Sequence, residues 1–201
     1  MRNNRLLKIT SYSAVVLASC QLLLILVSWF ITAAIPDLNM HSLLSSEGIR
    51  WFMGQFTYNI ASPILALITV ASIAYGCLVT SGLLGIKLHM DIRQRLAIRL
   101  ASLEVIIFIV AILLLTIVPH AVLLNIDGHI LSTNFLICMI SYISFAILVI
   151  SATYSISVGR ITSISGLFTV MCEGIKKAAP IYIIYILAAQ LYYSILFVFF
   201  S

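Results

Sequence analysis

The sequence predicts an all-α integral membrane protein with five transmembrane helices and two interfacial amphipathic helices. Three observations carry that expectation. The 201 residues are 63% hydrophobic and only 8% charged, where a soluble domain is about half apolar and about a quarter charged. The apolar residues gather in continuous runs, as long as the ~20 residues that cross a bilayer as a helix, whereas a β-barrel would alternate in short segments. The Lys and Arg residues flank those runs in the pattern that sets membrane orientation.

The N-terminal residues 1–10 are polar and carry Arg2, Arg5 and Lys8. An apolar run follows from Ala14 to Ile35 and is closed by Pro36 and Asp37. A basic start before an apolar run also describes a secretory signal. This run is longer than the ~7–15 residues of a signal core, and Thr32-Ala33-Ala34 makes a poor cleavage site. It is read as a retained first span, residues 14–35.

Residues 45–60 place Ile49, Phe52, Met53, Phe56 and Ile60 at helical spacing on one apolar face. Ser45 or Ser46 can cap its start, and Glu47 suits the positive end of a helix. Trp51 and Tyr58 are residue types that settle at headgroup depth, so this helix is expected on the membrane surface. A nearly uncharged second span covers residues 61–84. The basic KLHMDIRQRLAIR segment follows, with Lys87, Arg93, Arg95 and Arg99.

The third span, 101–118, ends at Pro119 and His120. A loop holds Asn125, Asp127-Gly128 and His129, with turn chemistry at Asp-Gly. The fourth span covers 134–158. Residues 160–177 place Ile161, Ile164, Phe168, Met171 and Ile175 on one face, a second surface helix, and Pro180 opens the fifth span, 180–200. The whole of 1–201 reads as one membrane domain. Ser81-Gly82-Leu83 and Ser165-Gly166-Leu167 match, but three residues do not make a repeat.

Charge then orients the spans. The N-terminus, the 87–99 loop and the 160–177 segment fall on one side and hold three, four and three Lys or Arg residues. Arg50 alone falls on the other. By the positive-inside rule the N-terminus is cytoplasmic and the C-terminus outside. The same flanking positions account for the basic pI of about 9.2 without nucleic acid.

Few residues offer chemistry. Ser62, Ala66, Thr69, Ser72, Gly76 and Thr80 form a stripe of small residues on span two, and Ser141, Ser144, Ser151 and Ser155 form a serine stripe on span four. Either stripe could line a polar path. Close helix packing is the plainer reading, because small residues let backbones approach and a helical serine can bond its own backbone. Glu104 is the acid nearest the middle of a span. It is a candidate for proton coupling, although it can also reach headgroup water or pair with Arg99 or Lys87.

His120, Asp127 and His129 could meet in the outer loop, but two histidines and one acid are a weak metal signal. Cys20, Cys77, Cys138 and Cys172 are far apart and form no CxxC pattern. No metal site, disulfide frame or cofactor is expected. No serine or cysteine nucleophile has a base nearby in sequence and no phosphate loop occurs, so an enzyme is not expected.

The order LLSSEGIRWFMGQF, Pro-containing helix, TSGLL over residues 43–85 resembles the p-aminobenzoyl-glutamate transporter family (AbgT). Residues 105–158, with VPHAVLLNIDGHILSTNF, resemble a later helix pair and its outer loop. Residues 159–196, with AAQLYYS, resemble the family's cytoplasmic linker and the helix after it. Family members are longer, with further spans and re-entrant hairpins. Between Leu84 and Ala101, where the family places a hairpin and transport helices, this chain has one basic loop. Broken half-helices hold the solute in such transporters, and no family substrate contact can be carried onto a residue here.

The resemblance therefore implies the scaffold half that holds family dimers together. It points to a bacterial inner-membrane protein in contact with lipid, and to a homodimer or a membrane protein partner. A scaffold-type subunit is the leading expectation. A small transporter of an organic acid or antimetabolite, built between copies, is the second, and a membrane enzyme the third.

Overall fold

The computed structural model describes residues 2–35, 40–85, 91–117 and 133–200. All of the regular structure there is helical: α1 (Arg2–Ala34), α2 (Ser46–Ile60), α3 (Pro63–Ser81), a 3-10 turn (Leu83–Gly85), α4 (Ile92–Ile117), α5 (Thr133–Val158) and α6 (Ile164–Phe200). Five helices are long and apolar enough to cross a membrane, namely α1, α3, α4, α5 and α6. Pro36, Asp37, Lys87 and the whole loop holding Pro119, His120, Asn125, Asp127, Gly128 and His129 lie outside the described residues.

Two helices differ from their expected bounds. The third span was expected from residue 101, but α4 begins at Ile92 and takes Arg93, Arg95 and Arg99 into its first turns. Hydropathy sees only the apolar part of a helix, whereas arginine propagates one well. The expected boundary at Pro180 is absent, and residues 164–177 of the expected surface helix and the fifth span form one helix, α6. Proline withholds one N–H, from the Lys176 carbonyl, and its ring crowds that carbonyl. A break there would free up to about four N–H and four C=O groups, which is worse where no water can satisfy them.

The chain divides into two compact units, residues 1–65 with 179–201 and residues 66–178. In the first, α1 turns Leu17, Ala18, Gln21, Leu24, Ile25 and Ser28 inward at three- and four-residue steps, and leaves Val15, Val16, Leu22, Leu23 and Phe30 exposed. Its core is Leu43, Phe197 and Val198, with Leu24, Ile25, Met40 and Trp51 packed against it. Trp51 stacks on Phe197 with centroids 4.4 Å apart. The His41 backbone N–H donates to the Val198 carbonyl at 3.2 Å, which satisfies one of the carbonyls that a helix end leaves without a partner.

Ser45 is the cap of α2. Its backbone is extended and its side chain accepts from the Gly48 N–H at 3.0 Å. The packed side of α2 is Gly48, Trp51, Phe52 and Asn59. Ile49, Met53 and Phe56, from the apolar face read in the sequence, are exposed. Close approach selects Gly48, because a Cβ there would collide with the Ser42 carbonyl and stand 2.7 Å from Leu43 Cα.

In the second unit, α4 and α5 pack together around Phe108. The Tyr142 hydroxyl donates to the Phe108 carbonyl at 2.7 Å, and the rings of Tyr142 and Phe145 meet Phe108 edge-on at 5.7 and 6.3 Å. Gln94, Ala97, Ala101, Glu104 and Phe108 are the less exposed positions of α4, again at three- and four-residue steps. α5 ends in a glycine cap: the Arg160 N–H donates to the Ser155 carbonyl at 2.9 Å and the Gly159 N–H to the Ile156 carbonyl at 3.0 Å. Gly159 takes φ 82° to allow it.

Candidate functional site: buried polar layers

The residues singled out on span two separate into packed and unpacked members. Ser72 and Gly76 are buried, Ser62 and Thr69 are half-buried, and Ala66 and Thr80 are exposed. Gly76 sits against Gly174 of α6, so that a Cβ on Gly76 would stand 2.6 Å from Gly174 Cα and 2.8 Å from the Val170 carbonyl. A Cβ on Gly174 would in turn collide with the Ser72 carbonyl. The middle of the stripe is therefore a backbone-to-backbone crossing inside one chain, the arrangement small residues permit. Cys77, beside it, is 2% exposed.

The serine stripe of span four is also taken up within the chain. Ser144, Ser151 and Ser155 are 7%, 1% and 1% exposed, and Ser141 is half-buried. The Ser151 hydroxyl has no hydrogen-bond partner among the described residues.

Glu104 lies on the packed side of α4 between Ala101 and Phe108. Its Oε2 is shielded and has no hydrogen-bond partner among the described residues. Of the partners the sequence offered, Arg99 is not paired with it and Lys87 lies outside the described residues; the pairs present among those residues are His41 with Glu47 at 3.8 Å and Lys176 with Glu173 at 3.1 Å. Arg160 instead points at the end of α3, where its guanidinium donates to the Thr80 carbonyl at 3.4 Å. A cation suits the negative end of a helix.

The first unit holds polar residues that the hydropathy reading passed over. Gln21 Nε2 of α1 donates to Ser194 Oγ of α6 at 2.9 Å. Asn59 Nδ2 of α2 donates to Gln190 Oε1 of α6 at 3.4 Å. The Tyr185 hydroxyl donates to the Ile60 carbonyl at 2.9 Å and meets the Ser62 hydroxyl, so α6 is bonded to the break between α2 and α3. Asn59, Gln190 and Ser194 are 6%, 4% and 0% exposed. Gln21 and the AAQLYYS segment were visible as amides inside apolar runs, and that was the available signal. Their pairing was not.

No group of three or more His, Cys, Asp or Glu residues able to hold a metal occurs among the described residues. Cys20 and Cys138 are exposed, and all four cysteines are free thiols. A shallow depression of about 250 Å³ is lined by Trp29, Thr32, Ala33, Ser42, Leu44 and Ser45, with no ionisable side chain among them. Compared with protein-family models, with curated proteins and with solved structures, the chain matches none.

Proposed function

We propose that this is a multi-pass protein of the bacterial cytoplasmic membrane, a scaffold-type subunit that self-associates or supports a partner in solute transport. The observation that supports it best is how the polar groups of the apolar helices are used. Gly76 with Gly174, Tyr142 with Phe108, Gln21 with Ser194 and Asn59 with Gln190 all join helix to helix. That is the chemistry of helix packing in a solvent as apolar as leucine, used here to hold a rigid scaffold within one chain. The likeness of residues 43–85 and 105–196 to the AbgT scaffold half supports the same reading. The orientation follows the charge bias, with the N-terminus cytoplasmic and the C-terminus periplasmic.

A small self-contained transporter is the second reading. It is favoured by Glu104 Oε2, which has no partner among the described residues, on an apolar helix and by the interruption between α2 and α3, since broken helices bind solutes in transporters. A membrane enzyme stands third. Extraction in mild detergent, with the mass of the particle and its co-purifying proteins measured, tests the first reading. A monomer with no partner, in detergent and in nanodiscs, overturns it. Solute uptake by the purified protein in vesicles would establish the second.

A further inference from the structure

We propose that Gln21, Asn59, Gln190 and Ser194 form a binding site for water inside the first unit. The four side chains come from three helices and are joined in two hydrogen bonds, Gln21 to Ser194 at 2.9 Å and Asn59 to Gln190 at 3.4 Å. Gln190 and Ser194 are four residues apart on α6 and so share one face on successive turns. Two atoms of the layer are shielded and have no hydrogen-bond partner among the described residues: Gln190 Nε2, a donor, and Gln21 Oε1, an acceptor.

A ligand that satisfies both must accept one hydrogen bond and donate another. It must also be neutral, since none of the four residues is ionisable and a buried charge needs a partner. Water fits this description, and buried polar groups left without protein partners are what buried waters bind.

The site's depth rests on the membrane reading. Gln190 stands ten residues after Pro180 and ten before Phe200, which is about 15 Å from either end of that stretch. Water would then sit near mid-bilayer.

Nuclear magnetic resonance of the full chain in detergent micelles tests the site without requiring bilayer insertion. Dipolar transfer from water, separated from chemical exchange, is read at the side-chain amides of Gln190 and Gln21. Transfer to both is expected, with a severalfold loss at Gln21 in Gln190→Met. Should that variant fail to fold, Gln21→Met on α1 is read at Gln190 instead, with the same loss expected. No transfer to either amide in the folded wild type overturns the proposal, as does transfer at one amide that is unchanged when the other is replaced. Failure of the membrane reading would show separately, as protein recovered without detergent.

Discussion

Gly76 of α3 and Gly174 of α6 meet backbone to backbone, leaving no room for a side chain on either. In a lipid solvent this contact must hold by packing, because hiding apolar surface from lipid gains nothing. Gly174→Leu should push the helices apart, and overpacking of this kind costs about 1–3 kcal/mol. Cys77 reports on it, being 2% exposed beside the crossing. The variant should show faster Cys77 modification by a thiol reagent and a lower unfolding temperature in detergent, read in a background lacking the other three cysteines. Unchanged Cys77 protection would refute the crossing. The middle of the stripe is consumed inside one chain, so the substitution reads folding first and association only after it.

Gly82 and Gly159 separate strain from space. Both have positive φ, 72° and 82°, where an ordinary residue pays about 1–2 kcal/mol. A Cβ on Gly82 would also run into the Arg160 guanidinium, while at Gly159 nothing lies within 4 Å. That contact is the far end of an exposed, flexible side chain that can swing aside, so Gly82→Ala should lower the melting temperature about as much as Gly159→Ala, and Arg160→Ala should change that little. A much larger loss at Gly82, relieved by Arg160→Ala, would show that the guanidinium is held in place.

Hydropathy and capping rules made much of this architecture legible. The five apolar helices follow from uncharged run length, and the Ser45 cap from a hydroxyl before Glu47. Other features were hidden because their causes are not local. Pro180 reads as a boundary, yet the helix passes through it, since losing one hydrogen bond costs less than opening two helix ends. The apolar face of α2 reads as a membrane-surface face, and Met53 on it is 73% exposed, while Gly48 and Asn59, which periodicity does not single out, turn inward. Steric fit and one amide pair decide that orientation. Asn59 and Gln190 are 131 residues apart, beyond any periodicity.

Glu104→Gln should leave the fold intact. The carboxylate Oε2 has no hydrogen-bond partner among the described residues, so the amide gives up no observed bond there, and at this half-buried position the isosteric exchange leaves the packing unchanged. Helical content and melting temperature in detergent should stay level. A marked fall would mean that the carboxylate holds a partner the geometry does not reveal. Loss of a proton-dependent uptake signal in a variant that still folds would instead favour the transporter reading.

Charge asymmetry predicts which side each loop occupies. In a cysteine-free background, an impermeant maleimide applied to intact cells should label Asn125→Cys and spare Asp91→Cys, an exposed position just before α4. The reverse pattern would invert the map, and labelling of neither position would remove the five-span arrangement.

Tyr185→Phe isolates the bond at the α2–α3 break. The ring stays, while the hydroxyl that donates to the Ile60 carbonyl and meets Ser62 is removed. The Ile60 carbonyl at the end of α2 keeps the Ser62 N–H as a donor at 2.8 Å, so the loss should exceed that of an exposed tyrosine by about 1 kcal/mol, the worth of one hydrogen bond. Tyr192, which is 59% exposed, supplies the control, and Tyr192→Phe should be nearly silent. Amide hydrogen exchange should speed up around Ile60–Leu65 in Tyr185→Phe and remain slow in α5. If exchange at the break is unchanged, the hydroxyl bond does not hold the end of α2, and the interruption must be maintained by Ser62 and Pro63 alone.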